Sequence, residues 1–158
     1  MGPDRACAEW LLRCGAHVRW TGKQKFQEDY NTLPQSNVKA YKIEEVVAHE
    51  AAVMDIGFVH FKDCNYIRKV SFYLCAYLDD SALCQLYHLS GSLEDLEVMS
   101  CGDVTQDGLQ CLTKLSLLKR LHLRDLPEIQ DKAGSVAMLR SALPDCHVTF
   151  DDADTGVK

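Results

Sequence analysis

Three segments decide the fold: Val70-Ser-Phe-Tyr-Leu-Cys75-Ala-Tyr-Leu78, Leu96-Glu-Val-Met-Ser-Cys101-Gly-Asp-Val104 and Leu121-His-Leu-Arg-Asp-Leu126-Pro-Glu-Ile129. Written in one register, each carries apolar residues at its first, third, sixth and ninth positions. Cys75 and Cys101 lie 26 positions apart, Cys101 and Leu126 25. The alternating start of each segment has the period of a half-buried strand.

The stretches between them repeat as well. Gly57, Phe58, Phe61, Cys64, Ile67, Val70 and Phe72 reappear 51 positions later as Gly108, Leu109, Leu112, Leu115, Leu118, Leu121 and Leu123. One unit along, Leu83, Leu86, Leu89, Leu93, Leu96 and Val98 fill the gap, with one extra residue absorbed in Ser90-Gly91-Ser92. Apolar residues three apart lie on one helical face. A unit of 25–26 residues with the pattern L-x-L-x-x-C-x-x-I is that of a cysteine-containing leucine-rich repeat.

The register extends outward. Val47 is placed at the strand position of Val98 and Val53 at that of Val104, so a partial unit leads; Val148-Thr-Phe150 makes a last strand. Helices are expected near 56–66, 80–89, 106–115 and 132–142. The expected fold class is α/β: a leucine-rich-repeat solenoid with a short parallel sheet, helices on the opposite face and a small N-terminal capping domain. The domains are then a cap at 1–42, the repeats at 43–150 and a flexible acidic tail at 151–158. In the cap, Pro3-Asp4 starts a helix. Cys7, Trp10, Leu11 and Cys14 stripe one face, Gly15 ends it, and His17-Val-Arg-Trp20 is a short strand.

At 158 residues a chain buries roughly 70% of its unfolded surface and folds without staples. No run of about 18 apolar residues suggests a membrane span, and Met1-Gly-Pro-Asp4 does not begin a signal peptide. The net charge of -6 argues against nucleic acid as the main partner, because a phosphate backbone needs a basic face. The eight cysteines form no C-x-x-C pair, so they are expected as reduced, buried hydrophobes. No nucleophile elbow, Walker loop, H-E-x-x-H or EF-hand is present, and the six histidines have no ligand spacing. Asp79, Asp80 and Asp103 are expected to cap helices. No catalytic residue is assigned, and the chain is expected not to be an enzyme.

What remains is surface. The strand positions that face away from the core align into a row, Ser71/Tyr73, Glu97/Met99, His122/Arg124 and Thr149/Asp151. Tyr73, Glu97, Met99, His122 and Arg124 are the candidate partner-binding residues, because Tyr, Met and Arg are enriched at interface cores. Arg13, Arg19, Lys23 and Lys25 form a second, basic group in the cap.

The run Gly2-Pro-Asp-Arg-Ala-Cys-Ala-Glu-Trp-Leu-Leu-Arg-Cys-Gly-Ala16 resembles the mitochondrial ATP synthase coupling factor B (subunit s) family. So do Asp29-Tyr-Asn-Thr-Leu-Pro34, Tyr41-Lys-Ile43, Ile56-Gly-Phe58, Ser100-Cys-Gly102, Asp125-Leu-Pro127 and Ala142-Leu-Pro144, in the same order. The distal membrane-arm assembly proteins of respiratory complex I are wider relatives. The resemblance implies a mitochondrial protein, peripheral on the matrix side of the inner membrane. Its role would be non-enzymatic: binding the membrane sector of ATP synthase and supporting proton-coupled ATP synthesis, or assembling the distal arm of complex I. It also implies a magnesium ion (Mg2+) in the N-terminal region, held at Gly15 and at His49, where the family has Thr. Magnesium prefers oxygen, so His49 would serve through its carbonyl. The family's close thiol pair is reduced here to Cys75 alone, between Leu74 and Ala76. Two other classes compete with this reading: a substrate-recognition module for ubiquitin ligation, which lacks an F-box-like segment here, and a redox switch at Cys14 or Cys75.

Overall fold

The structure is a computed structural model that describes residues 2–152. Helix α1 (Pro3–Arg13) leads through a turn at Gly15 into strand β1 (His17–Trp20). Five further strands follow: β2 (Ile43–His49), β3 (Lys69–Tyr73), β4 (Asp95–Met99), β5 (Arg120–Arg124) and β6 (His147–Asp151). The connections cross the opposite face. Asp55–Phe61 is a 3-10 helix, and the next two crossings pair a short α-helix with a 3-10 turn. These are α2 (Asp80–Cys84) before Leu86–Leu89 and α3 (Gln106–Cys111) before Leu112–Lys114. The last crossing is α4 (Lys132–Ala142).

The expected leucine-rich-repeat solenoid is corrected. All six strands form one mixed sheet in sequence order, in which β1 pairs antiparallel with β2 and the remaining pairs are parallel. The connecting segments are mostly single turns rather than full return helices, and residues of α1 and β1 enter the same hydrophobic core as the later strands. The periodicity reports which residues stand side by side on neighbouring strands. It carries no information on how the first forty residues join them, because strand pairing runs through backbone groups. The expected acidic tail starts inside β6, and its residues 153–158 lie outside the described residues.

The parallel ladder sets Val70, Leu96, Leu121 and Val148 in one inward row and Phe72, Val98, Leu123 and Phe150 in the next. Their partners on β2 are Val46 and Ala48, so the expected placement of Val47 is wrong by one residue. A one-residue slip turns a side chain to the opposite face, and Val47 faces outward while Val46 and Ala48 are buried. The leading unit is short by a residue at its strand, which a fixed period cannot reveal.

Each parallel strand but the last exits through a residue in the left-handed region: Glu50, Leu74, Ser100 and Asp125, with φ of 55°, 53°, 54° and 52°. The N–H of each donates to the last residue of the following strand, as Leu74 does to the Met99 carbonyl at 3.1 Å and Ser100 to the Arg124 carbonyl at 2.9 Å. The ladder hydrogen bond offsets the cost of a left-handed non-glycine residue, about 1 kcal/mol each. The chain then turns inward to Cys75 and Cys101, both fully buried.

At the N-terminal end, α1 buries Cys7, Ala8 and Leu11 completely. Trp10 lies against Phe58, Phe61 and His60 at ring separations of 5.8, 5.4 and 5.4 Å. Gly57 lets the indole in, since a Cβ there would run into the Trp10 ring. Asp4, 2% exposed, accepts the Ile43 N–H at 2.8 Å and so fastens the first turn of α1 to the start of β2. Burial pushes its carboxyl up, against the hydrogen bond from Ile43 and the charge of Lys42.

Candidate partner-binding face

Outward-facing residues of the strands form three rows across the open face of the sheet. The first is Arg19, Glu45, Lys69, Asp95, Arg120 and His147. Its charge alternates from strand to strand as far as Arg120. Arg19 Nε lies 3.2 Å from Glu45, Lys69 4.0 Å from Glu45, and Arg120 Nε 3.4 Å from Asp95. Glu44, Arg68, Glu94 and Lys119, one residue earlier, repeat the alternation at the rim, with Arg68 3.2 Å from Glu94. Between them lies a shallow cavity of about 270 Å³ lined only by charged side chains. The arrangement neutralises itself, so it offers little to a partner of either sign.

Sequence reasoning missed this ladder although the signal was present. Glu44-Glu45, Arg68-Lys69, Glu94-Asp95 and Lys119-Arg120 are sign-alternating doublets at the repeat spacing, visible once charges are aligned in the register of the apolar residues.

The second row is Val47, Ser71, Glu97, His122 and Thr149, and the third His49, Tyr73, Met99, Arg124 and Asp151. All five residues expected to bind a partner therefore stand on this face: Glu97 and His122 side by side, Tyr73, Met99 and Arg124 in line. Val47 and His49 belong there too, and sequence reasoning omitted them because of the one-residue slip in β2.

The second row is joined by polar contacts. His49 Nε2 lies 3.2 Å from Ser71 Oγ, Arg120 donates to Glu97 at 2.7 Å, and His122 sits 3.7 Å from Glu97 and 3.0 Å from Asp151. Burial acts to raise the Glu97 carboxyl, but hydrogen bonds from Arg120 and Ser71 and the charge of Lys69 outweigh it and hold the group below its ordinary value. Glu97 is therefore an anion at neutral pH, and His122 bridges two carboxylates on adjacent strands. In the third row Tyr73 meets the His49 ring edge-on at 5.5 Å, and Leu74 just beyond it is 44% exposed. Tyr73, Leu74 and Met99 thus give the face an apolar centre bordered by His49 and Arg124, the anatomy of an interface core with a polar rim.

The Gly15 turn comes close to the exit of β2: Cys14 accepts the Ala52 N–H at 2.8 Å. The side chains there do not fit a magnesium ion. Gly15 supplies none, the His49 ring is engaged with Ser71 and Tyr73, and no group of three imidazole, thiol or carboxylate side chains suited to a metal forms among the described residues.

The cysteines depart from expectation in one place. Cys84, ending α2, and Cys111, ending α3, form a disulfide between neighbouring crossings. Sequence reasoning had all eight reduced, and an α2–α3 pair at a separation of 27 positions is invisible to a search for C-x-x-C. Cys75 and Cys101 lie side by side in the core; the hydrogen bond with Cys75, and then burial, hold the Cys101 thiol well above its ordinary value. Burial pushes the Cys14 thiol up as well. Asp79 caps α2 through the Ala82 N–H at 2.9 Å, as expected, while Asp80 reaches forward to the Thr105 N–H at 2.8 Å.

No family model matches the chain. Among curated proteins it is similar to mitochondrial ATP synthase subunit s of Mus musculus, with 44% identity over 147 residues that cover 91% of this chain and 74% of the relative. It is likewise similar to that of Bos taurus, at 40% over 154 residues, covering 96% and 77%. More distantly, distal membrane arm assembly component 2 of Drosophila melanogaster is 26% identical over 159 residues, covering 97% of this chain and 55% of the relative. No helix among the described residues is long and apolar enough to cross a membrane.

Proposed function

The chain belongs to the mitochondrial ATP synthase subunit s (coupling factor B) family, and from that membership we propose that it is a non-enzymatic accessory protein of ATP synthase. In this reading it works by protein–protein contact with the membrane sector, peripheral to the inner membrane on its matrix side, and supports proton-coupled synthesis. The observation that carries it is the open sheet face, where Tyr73, Leu74 and Met99 form an apolar centre beside the polar His49 and Arg124 positions. The charged ladder beside it is internally paired, so specificity rests on the second and third rows.

Affinity capture from detergent-solubilised mitochondria tests the reading. The wild-type chain is expected to recover ATP synthase subunits, and the Tyr73→Ala/Met99→Ala double variant, with unchanged thermal unfolding, at least tenfold less. Recovery of neither ATP synthase nor complex I subunits would sink it. The likeness to distal membrane arm assembly component 2 across nearly the whole chain favours one second reading, an assembly factor for the distal arm of complex I. Capture of partly assembled complex I in place of ATP synthase would select it.

A further inference from the structure

The N-terminal region and the rest of the chain carry opposite charge. Residues 1–42 hold seven Lys or Arg against four Asp or Glu, and residues 43–158 hold ten against nineteen, so the two parts net +3 and −9. An asymmetry of this kind within one chain points to a charged partner. Four of the seven N-terminal cations are engaged with carboxylates. Arg5 and Arg13 each lie 3.1 Å from Glu9, Arg19 3.2 Å from Glu45 and Lys42 4.0 Å from Asp4. Lys23 and Lys25 are exposed and have no ion pair among the described residues.

These two lysines stand at one cavity of about 310 Å³, walled by Trp20, Phe26, Pro34 and Tyr41. Among the described residues no carboxylate lines it. Glu28 and Asp29 follow closely in the chain, but Asp29 turns away to accept the Asn31 N–H at 2.8 Å. The walls are fixed by hydrogen bonds. Gly22, with φ of 81°, turns the chain so that the Lys23 N–H returns to the Trp20 carbonyl at 3.0 Å. Arg19 donates to the Lys23 carbonyl at 3.1 Å. Trp20 Nε1 donates to Gln27 at 3.3 Å, and Gln27 in turn donates to the Thr32 hydroxyl at 2.8 Å. The Trp20 and Tyr41 rings meet edge to face at 5.3 Å. A site held in this way has little left to order when a ligand arrives.

We propose that this cavity docks an acidic segment of a partner protein, with carboxylates at the Lys23 and Lys25 ammonium groups and an aromatic side chain against Phe26 and Tyr41. Charge complementarity sets the sign: two unpaired cations flank aromatic walls with no carboxylate to compete for them. A bilayer is the other large anionic surface, and two observations disfavour it. Recognition of anionic lipid takes clusters of about four to eight cations, whereas only two converge here. Anchoring also takes apolar side chains that enter the headgroup layer, and among the described residues before Met54 no large apolar side chain is exposed. The site is separate from the open sheet face. It lies beyond the outer edge of β1, where Gln27 bridges Val18, while Tyr73 and Met99 stand on β3 and β4.

Nitrogen–proton correlation NMR of the full chain tests this, because its two tryptophans give two indole signals and only Trp20 belongs to the cavity. Titration with the capped peptide Glu-Asp-Phe-Asp-Glu is expected to shift the Trp20 signal saturably and to leave that of Trp10 in place. The Lys23→Glu/Lys25→Glu variant is expected to bind about tenfold more weakly or worse, and added salt to weaken the parent's binding. The same change of charge at the exposed Lys62 and Lys114 should leave binding unaltered. So should Tyr73→Ala/Met99→Ala, which keeps this proposal and the open-face reading separately testable. The reversed-charge peptide Lys-Lys-Phe-Lys-Lys should bind the Lys23→Glu/Lys25→Glu variant and not the parent, a rescue that an unfolded variant would not give. No shift of the Trp20 signal overturns the proposal, as does binding indifferent to the reversal at Lys23 and Lys25. Binding to phosphatidylglycerol–phosphatidylcholine vesicles without binding to the peptide gives the site to lipid and overturns it equally.

Discussion

The sheet ends differ in how their core is closed, and the difference decides where truncation costs most. At the β1 end, α1 lays Cys7, Ala8 and Leu11 over the core with no residual exposure, Trp10 fills the notch at Gly57, and the backbone edge is bridged by Gln27. At the β6 end, Val136 and Phe150 meet the core but also line an open groove, and on the strand's outer side the Val148 carbonyl accepts from Arg140 at 2.9 Å. One end uses about forty residues to close its core; the other uses the single helix α4, which buries Ser135 and Leu139. The first is closed by apolar burial, the second by a helix whose cations reach the strand: Arg140 to the Val148 carbonyl and Lys132 over the Phe150 ring.

Truncation at matched places should expose that contrast most strongly. Leu11→Ala empties a fully enclosed site and is expected to cost about 3 kcal/mol, whereas Val136→Ala, already beside open space, should cost about 1 kcal/mol or less. Urea unfolding of the two variants measures both, and equal losses would erase the distinction between the ends. Next in size is Asp4, the polar fastener of the closed end. Asp4→Ala leaves the Ile43 N–H buried without an acceptor and should cost about 2 kcal/mol. Asp4→Asn keeps an acceptor and removes the charge. Because burial raises the Asp4 carboxyl in the folded chain, ionising it lowers stability as pH rises through that folded value. The Asn variant should therefore match or exceed the parent in thermal unfolding at neutral pH.

The middle of the sheet belongs to neither end and should respond through charge. Lys69→Glu puts a third carboxylate between Glu45 and Asp95, its neighbours on the adjacent strands, and is expected to destabilise by about 1 kcal/mol. The loss should shrink as salt rises; an effect independent of salt would argue that the ladder is packing rather than electrostatics. The smallest effect concerns Glu97, whose carboxyl lies below its ordinary 4.5 in the folded chain. Such a group contributes stability above that value and loses it as pH falls through the folded one. Between about pH 6 and about pH 3 the Glu97→Gln variant should lose less stability than the parent.

Much of this was legible in the residues. The 25–26-residue spacing correctly aligns Val70 with Leu96 and Leu121 and Phe72 with Val98 and Leu123, and alternation then places Tyr73, Glu97, Met99, His122 and Arg124 on one outward face. The helix Pro3–Arg13, its Gly15 turn and the strand at His17–Trp20 follow from capping and periodicity. The face of Val47 did not follow, because the leading unit carries no second copy of itself to reveal a one-residue change. The α2–α3 disulfide was also hidden, since each cysteine sits in a different unit and nothing in a linear spacing states that they meet.

By itself the sequence determined the register of β3 to β5, much of the core and the outward side chains of those strands, all consequences of periodicity along the chain; the resemblance to a family was carried separately, by short motifs in order. Only the tertiary structure decided that β1 joins antiparallel to make one mixed sheet, and that Arg19 opens a sign-alternating ladder running to Arg120. It also decided that one edge is bridged by Gln27 while at the other Arg140 of α4 reaches the Val148 carbonyl. Those outcomes depend on backbone hydrogen bonds and on contacts between distant segments, and a main-chain N–H or C=O is the same for every residue that carries it.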